Sequence, residues 1–365
     1  MKRKICIVMF SFFGRGVERS QVRMANYYSR NGDVVDVVCF QDTGVFRNEL
    51  DQNLKIHCLK VNNSKKGIIG LIRYLWTHKP EYVLSAQDNI NVLVLIARLF
   101  CPWRFKVSVS CRVSPILWAR KPKLLSKNWL MKALVRIFYP IANQIVVLSS
   151  EMAQEYVTLF GLPSKSLSVI HNPVLDSSKS VSDFSFVDHP WFNDTKKKVV
   201  LGVGNLSWIK GFDTLIRALG NLKHRPDIVL IIVGEGSLLD ELKQLAFNLG
   251  VNERVEFVGF KQNSMDYMRS SDLFVLSSIS EGFGNVLVEA IGTGCPVVST
   301  RCGGGAVEIM ENGKLGYLVP ISNEAHLSVA IEKTLDEEVD KEKLLESSKR
   351  FYIDHISEQY ISNMS

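Results

Sequence analysis

Short apolar runs separated by amphipathic stretches dominate the first half of the chain. The apolar runs are rich in β-branched residues and cover 4–10, 34–40, 81–86, 105–111 and 144–149. Amphipathic stretches such as 18–30 and 124–139 lie between several of them. This alternation predicts a parallel β-sheet with helices on both of its faces.

A second alternation of the same kind fills the latter half. A polar, Ser-rich stretch over 175–197 precedes it, and its apolar runs cover 198–204, 228–234, 254–259, 273–277 and 296–300. A chain of 365 residues exceeds what one hydrophobic core usually supports. We therefore predict an α/β protein of two doubly wound, Rossmann-like domains facing each other across a cleft, joined by a linker over 175–197. Ligands of such sheets bind at the carboxyl ends of the strands.

The amino terminus and the cysteines bear on the compartment. Residues 5–13 are apolar and follow Met1-Lys-Arg-Lys, but no small-residue cleavage pattern follows, so a first strand is the preferred interpretation over a signal peptide. No apolar run reaches the roughly 18 residues of a membrane span. The seven cysteines are scattered without C-x-x-C spacing, which argues against a disulfide framework and a zinc site and favours a reducing cytoplasm.

Positive charge is concentrated in the first half. Residues 1–180 contain 26 Lys and Arg but 11 Asp and Glu, whereas residues 181–365 contain 18 and 26. Residues 89–150 have ten Lys and Arg, no Asp or Glu, and seven Phe, Trp and Tyr. Such a surface suits anionic lipid headgroups, a lipid diphosphate or nucleic acid, or is merely a solvated basic face. No recognition helix or zinc finger accompanies the charge, so we do not expect nucleic acid.

A glycine-rich turn flanked by two glutamates follows the strand predicted at 273–277. Glu281 and Glu289 are eight residues apart. The stretch 285–293 predicts a short helix that begins with Asn285 as its N-cap and ends at Gly292 and Gly294. Gly282 and Gly284 let backbone approach a ligand, and the first helical amides favour an anion. The two carboxylates can accept hydrogen bonds from sugar or ribose hydroxyls. Taken alone, the run is better explained by a solvated loop glutamate and a partly exposed helix glutamate beside a tight turn.

Two further segments follow the first strand of each predicted domain. Gly14-Arg-Gly16 opens the first helix, and it is either a tight turn or a loop that brings amides to a phosphate or sugar. A third glycine at the dinucleotide spacing is lacking, which argues against a nicotinamide or flavin site. Lys210 precedes the first helix of the second domain and is either a surface lysine or the cation that a diphosphate leaving group needs.

Together these residues resemble the retaining nucleotide-sugar glycosyltransferases of GT-B fold in glycosyltransferase family 4, over nearly the whole chain. The segments that carry the resemblance are the E-x7-E pair, Lys210-Gly-Phe-Asp213, 294–300 and Gly303-Gly-Gly-Ala-Val-Glu308. The resemblance implies domains at 1–174 for the acceptor and 198–350 for the nucleotide sugar, with 351–365 as a helix that packs back on the first domain.

The resemblance also implies roles for individual residues. Lys210 would grip the donor diphosphate, Glu281 the donor sugar and Glu289 the ribose, and the strand end at 255–260 would bind the base. Lys210, Glu281 and Arg112 are the implied catalytic residues. The implied donor-binding residues are Gly14, Gly16, Asn205, Lys210, Gly259, Phe260, Glu281, Gly282, Phe283, Gly284, Asn285, Val286 and Glu289.

The chain departs from the family pattern at two positions. Asn205 stands where many members have an arginine that assists the lysine, so Lys210 is the expected cation on the diphosphate. Arg112, in Ser110-Cys-Arg-Val-Ser-Pro115, stands at or near the place of a common histidine. It is either an electrostatic residue of the site or part of a structural ion pair.

The resemblance implies a cytoplasmic enzyme at the inner face of the membrane that moves a hexose or N-acetylhexosamine from a UDP-sugar to a polyprenyl-diphosphate saccharide. Retention of anomeric configuration is implied too. The absence of an Asp-x-Asp motif predicts that no metal is required and that no cofactor besides the nucleotide sugar takes part. A nucleotide-sugar epimerase of the same fold and a non-enzymatic sugar-nucleotide or lipid-binding protein are the alternatives.

Overall fold

Two parallel β-sheets form in residues 2–13, 16–62 and 64–364, which are the residues that the computed structural model describes. The chain divides into two units: Met1–Val174 with Phe351–Ser365, and Leu175–Arg350. Both are doubly wound α/β units, as the alternating pattern predicts. No described helix is long and apolar enough to cross a membrane.

The first unit contains a seven-stranded sheet in the order β3-β2-β1-β4-β5-β6-β7. Its elements before the second unit are β1 Lys4–Met9, α1 Gly16–Arg30, β2 Val34–Cys39, β3 Lys55–Cys58, α2 Ile68–His78, β4 Tyr82–Ala86, α3 Asp88–Leu99, β5 Lys106–Cys111, α4 Ile116–Ala119, α5 Lys127–Phe138, β6 Gln144–Val147, α6 Ser150–Phe160 and β7 Leu167–Val169.

The second unit contains a six-stranded sheet in the order β10-β9-β8-β11-β12-β13. Its elements are α7 Pro190–Asn193, β8 Lys198–Val203, α8 Phe212–Asn221, β9 Ile228–Val233, α9 Leu239–Asn248, β10 Val255–Gly259, α10 Ser264–Ser270, β11 Leu273–Leu276, α11 Asn285–Gly292, β12 Val297–Thr300, α12 Ala306–Ile309, β13 Gly316–Val319, α13 Glu324–Asp336 and α14 Lys341–Ser348. The last helix, α15 Ile353–Ser362, belongs to the first unit.

Burial explains which strands the sequence pattern reveals. Every residue of β9 is buried, and its sequence IVLIIV is the continuous apolar run expected of a strand covered on both faces. Among the edge strands, β3, β7 and β13 are three or four residues long and mostly half-exposed, and no predicted run corresponds to them. The longer edge strand β10 corresponds to the predicted run 254–259. Edge strands need no apolar face on both sides, so their sequences carry a weaker signal.

Residues 175–197, predicted as a linker, pack on the second unit. The Ser185 amide donates to Asp266 Oδ1 at 2.9 Å, and His189 Nε2 lies 3.0 Å from Glu256 Oε2. Phe184 is buried, and α7 follows shortly afterwards. The segment is therefore the structured beginning of the second unit.

The C-terminal helix α15 completes the core of the first unit. Ile356 and Tyr360 are buried against side chains of β1 and α1. The Tyr28 hydroxyl donates to the Ser357 carbonyl at 2.6 Å, and the Arg3 guanidinium bridges Asp33 and Glu358. The first unit is thus built from both ends of the chain.

Candidate functional site

The strand order of the second sheet brings two distant loops together. Strand β8 lies between β9 and β11, so the chain winds to opposite sides from β8, and the loops after β8 and β11 start at neighbouring strand ends. Such a switch point is where doubly wound sheets bind ligands. Lys210 lies in the first loop and Glu281 in the second.

Lys210 and Glu281 form an ion pair at this point. Lys210 Nζ lies 2.6 Å from Glu281 Oε1, and the Ser278 hydroxyl donates to the same oxygen at 2.6 Å. The two charged side chains are 22% and 10% exposed, so solvent screens their attraction only in part. The predicted cation and the first predicted carboxylate are therefore in direct contact.

The backbones of the two loops are hydrogen-bonded to each other. The Ile279 amide donates to the Ile209 carbonyl at 2.8 Å, and the Ser277 hydroxyl donates to the Lys210 carbonyl at 2.9 Å. Gly211 has φ +62°, and a Cβ there would lie 2.2 Å from the Ser277 carbonyl oxygen. Only glycine fits this close approach, which holds Lys210 in place opposite Glu281.

The turn before α11 differs in one detail from the prediction. Gly284, with φ +100°, is the N-cap, and Asn285 is the first helical residue, so the expectation of Asn285 as the cap was wrong. Glycine takes this left-handed backbone conformation at no steric cost. Because glycine has no side chain, no side-chain hydrogen bond caps the helix. The amides of Asn285 and Val286 lie in the first turn, where a helix favours anions.

A second glycine run packs against this turn. A Cβ on Gly304 would lie 2.1 Å from the Glu281 carbonyl oxygen, and one on Gly305 would lie 2.6 Å from the Phe283 ring. The Phe283 side chain is buried, so this residue can offer a ligand only its backbone. Close backbone packing on both sides therefore shapes the loop from Glu281 to Gly284.

Glu289, the second predicted carboxylate, lies inside α11 and is buried rather than partly exposed. The Ser264 hydroxyl of α10 lies 3.5 Å from its Oε2. Near Glu281, burial and that carboxylate raise the pKa of the Cys302 thiol to about 12. The thiol is therefore protonated near neutral pH and unsuited to nucleophilic attack.

The predicted base-binding strand end includes one residue that the sequence analysis missed. The Asn205 side-chain amide donates to the Glu235 carbonyl at 2.9 Å, and Glu235 Oε1 accepts from the Phe260 amide at 3.3 Å. Gly259 pairs with Gly234 through the backbone, and the Phe260 ring is 65% exposed. Glu235 thus links the ends of β8 and β10. Its signal is the Gly234-Glu-Gly236 turn directly after β9.

Of the three site residues predicted in the first unit, the structure describes two. Gly16 begins α1, whereas Gly14 lies outside the described residues. Arg112 is buried after β5, where its guanidinium donates to Asn172 Oδ1 and to the Tyr360 hydroxyl, the latter at 3.1 Å. Its Nε has no hydrogen-bond partner among the described residues. Arg112 therefore connects β5 to the segment before the second unit and to α15.

The arrangement in the second unit suits a ligand with an anionic part and hydroxyl groups. One ammonium and the first amides of α11 can bind a phosphate group. Glu281 and Glu289 can accept hydrogen bonds from hydroxyls, and the exposed Phe260 ring offers a surface for an aromatic base. No described set of these residues has the donor pattern of a metal site.

Known proteins with related sequences match both units. The chain matches the family described as "Glycosyltransferase Family 4" over residues 14–177 and the one described as "Glycosyl transferases group 1" over residues 185–351. Together the two matches cover the greater part of both units.

Individual relatives match parts of the chain. It is 30% identical over 251 residues, 68% of its length, to the "N-acetylgalactosamine-N,N'-diacetylbacillosaminyl-diphospho-undecaprenol 4-alpha-N-acetylgalactosaminyltransferase" of Campylobacter jejuni. It is 34% identical over 165 residues, 45% of its length, to the "Lipopolysaccharide core biosynthesis glycosyltransferase LpsE" of Rhizobium meliloti. The matched stretches span 65% and 47% of these two relatives, which is less than two thirds of either.

A similar fold is found in a crystal structure of Anabaena HepE in complex with UDP and glucose, with a TM-score of 0.78. The similarity covers 99% of this chain and 98% of that one, at 22% identity, and shows the fold alone. With two parallel doubly wound sheets, matches to both family descriptions and related glycosyltransferase sequences, the chain belongs to the GT-B glycosyltransferases of family 4.

Proposed function

We propose that this protein transfers a hexose or N-acetylhexosamine from a UDP-sugar to a polyprenyl-diphosphate saccharide, with retention of anomeric configuration. The observation that carries the proposal is the Lys210–Glu281 ion pair at the switch point of the second sheet, beside the amino end of α11. The family match supports the reaction class, and the site residues support the kind of donor.

The donor would bind by replacing the contact between Lys210 and Glu281 with contacts to itself. An incoming diphosphate competes with Glu281 for the Lys210 ammonium, and sugar hydroxyls replace the lysine as donors to the carboxylate. Glu289 on α11 would take the ribose hydroxyls, and the Phe260 ring would contact the base. The Anabaena structure contains UDP and glucose, which makes UDP the first nucleotide to test.

The chemical step would use charge stabilisation rather than a covalent intermediate. As the glycosidic bond breaks, negative charge collects on the departing diphosphate, where Lys210 and the first amides of α11 stabilise it. Front-side attack, with the departing phosphate accepting the proton of the acceptor hydroxyl, gives retention without a protein nucleophile. We expect turnover to persist in the presence of a chelator because the proposed step needs no metal.

The first unit would bind the acceptor and the membrane surface. The Campylobacter relative is named for a diphospho-undecaprenol saccharide, which is a lipid-linked anion. Around the start of α5, Lys121, Lys123 and Lys127 are exposed, and Leu124 and Leu125 between them are 76% and 80% exposed. Basic residues around exposed leucines are typical of a surface that binds anionic bilayers.

Vesicle flotation tests the membrane part of the proposal. Each lysine near an anionic surface contributes about 1 kcal/mol, so a Lys121→Gln/Lys123→Gln/Lys127→Gln variant should bind phosphatidylglycerol vesicles about 100-fold more weakly. The control replaces Lys223, Lys243 and Lys261, three exposed lysines of the second unit, with Gln. Equal loss in both triple variants would contradict a specific membrane surface.

A panel of nucleotide sugars tests the donor class. A ligand that binds only the folded state raises the melting temperature, and 100-fold excess over Kd stabilises by about 2.7 kcal/mol. We expect UDP and UDP-sugars to stabilise the protein more than GDP-sugars or ADP-sugars, and Lys210→Ala to abolish most of the shift. Stabilisation by another nucleotide alone would contradict the UDP assignment.

A further inference from the structure

A cluster of two histidines and one aspartate lies in the first unit, apart from every residue of the proposed donor site. In the part of the chain that the structure describes, Asp36, His57 and His78 each place one donor atom within 4.8 Å of the other two. Asp36 is on β2, His57 on the edge strand β3, and His78 is the last residue of α2. Three separate elements therefore converge at one point.

The distance between His57 and Asp36 suits a tetrahedral metal ion. His57 Nε2 lies 3.4 Å from Asp36 Oδ2, close to the edge of about 3.3 Å in a tetrahedron with bonds of about 2.0 Å. His57 Nε2 is buried, and no hydrogen bond to it is found within the described ranges. A buried nitrogen without a hydrogen bond beside a carboxylate oxygen is unusual for a purely structural contact, and a shared cation explains it.

Neighbouring groups orient two of the three ligands. The Tyr74 hydroxyl donates to Asp36 Oδ2 at 2.6 Å, and His78 Nδ1 lies 3.1 Å from the Tyr74 carbonyl oxygen. Because a carbonyl oxygen only accepts, Nδ1 of His78 carries the hydrogen, and the lone pair of the neutral ring is on Nε2. Metal-binding histidines and carboxylates are commonly held by such hydrogen bonds.

A cavity of about 330 Å³ adjoins the cluster and provides access. Lys4, Val34 and Lys55, the first residues of β1, β2 and β3, line it, so it lies at the amino ends of the strands. Ligands of sugar transfer bind at carboxyl ends, so the cluster has no part in that reaction. The positive charges of Lys4 and Lys55 in the cavity lining would favour hydroxide or another anion as a fourth ligand of an ion bound there.

We propose that Asp36, His57 and His78 bind a divalent transition-metal ion of the zinc class, with the fourth position open to the cavity. Two imidazoles and a carboxylate are ligands that Zn²⁺ accepts, and a tetrahedral geometry suits it. The bound ion would fasten the edge strand β3 and the end of α2 to β2. The cysteine spacing, which argues against a zinc site in the sequence, gives no information on a site of histidine and aspartate.

Calorimetric titration of the full chain with ZnCl₂ tests the proposal. The titration uses protein without an affinity tag. EDTA first removes any bound metal, and the EDTA is then removed. We expect one equivalent to bind, and Co²⁺ to give the visible absorption of a four-coordinate site. Absence of binding to the unaltered protein would overturn the proposal.

Variants assign the binding to these residues. His57→Ala/His78→Ala should weaken Zn²⁺ binding at least about 100-fold, whereas His326→Ala/His355→Ala, which removes two exposed histidines, should leave it unchanged. Tyr74→Phe keeps all three ligands and should weaken binding about 10–100-fold, which covers the case in which the first variant does not fold. Unchanged affinity in both Tyr74→Phe and a folded His57→Ala/His78→Ala variant would overturn the assignment. Where the double variant does not fold, unchanged affinity in Tyr74→Phe alone would overturn it.

Discussion

Lys210 and Glu281 contact each other directly. Under the proposed function, the donor separates this ion pair when it binds. Removing the ammonium should leave the loop folded, because the Gly211 approach and the Ser277 hydrogen bond are formed by backbone and hydroxyl groups. Loss of one preorganised charge-stabilising group commonly lowers turnover about 10²–10³-fold. We expect that loss in Lys210→Ala, measured as kcat with saturating donor.

The exposed Lys243 of α9 offers a matched control for Lys210→Ala. Lys243→Ala should retain the turnover of the unaltered protein, and both variants should melt within a few degrees of it. Near-native turnover in Lys210→Ala would remove the lysine from the chemical step.

The sequence predicts the charged residues of the site better than their partners. Lys210 and Glu281 were expected from spacing and resemblance, but their contact with each other was not. Ser278 was missed because a serine beside a strand end has no distinctive spacing. Glu235 was missed although it lies between two glycines directly after β9. The structure also gives Arg112 two neutral partners, Asn172 and Tyr360, that no local pattern indicates, and its role in the site stays a prediction.

Among the elements, the loop after β8 depends most on a single glycine. Gly211→Ala would place a methyl group 2.2 Å from the Ser277 carbonyl oxygen in a left-handed backbone of φ +62°. Gly250→Ala is a matched control, because Gly250 has φ +68° and nothing lies within 4 Å of its Cβ position. Both variants carry left-handed strain of about 1–2 kcal/mol.

Only Gly211→Ala adds the clash, which costs about 1–3 kcal/mol further. Urea unfolding should therefore show Gly211→Ala to be the less stable variant by that amount. Donor binding should fall in Gly211→Ala alone, because the clash displaces Lys210. Equal unfolding free energies would show that the loop relaxes without strain.

Strands buried on both faces were predicted well, and the short edge strands β3, β7 and β13 were not. The predicted runs at 228–234 and 198–204 correspond to β9 and β8 within a residue at their ends. Register and strand order, which bring Lys210 to Glu281, depend on contacts across the sheet that no single segment encodes. The glycine N-cap of α11 was missed because asparagine is the commoner cap in sequence statistics.

In the whole molecule, the first unit depends on a helix that the chain supplies last. Deleting residues 351–365 would remove Phe351, Ile356 and Tyr360, each at most 2% exposed. Loss of one such side chain typically costs 2–5 kcal/mol, so the deletion should unfold the first unit while the second keeps its structure. Hydrogen exchange should show lost protection in β1 and α1, with β8 and β9 protected as before.

Tyr360→Phe gives a milder test of the same dependence. It removes the hydroxyl that accepts from Arg112 and lies 3.2 Å from the Ser110 hydroxyl. Leaving a buried donor without its partner costs about 1–3 kcal/mol, which should appear in the unfolding of the first unit. For the deletion of residues 351–365, full protection of β1 and α1 against hydrogen exchange would show that the first unit does not depend on α15.

The proposed reaction transfers a sugar from a UDP-linked donor to a polyprenyl-diphosphate saccharide. Its most direct test incubates the protein with UDP-sugars, with and without such an acceptor, and follows products by mass spectrometry and the new linkage by NMR. We expect UDP release and a lipid-linked product that carries one more α-linked sugar. Both should require the acceptor, and both should persist in EDTA. Conversion of the donor without acceptor, as by an epimerase, or donor binding without any product would contradict the proposed reaction.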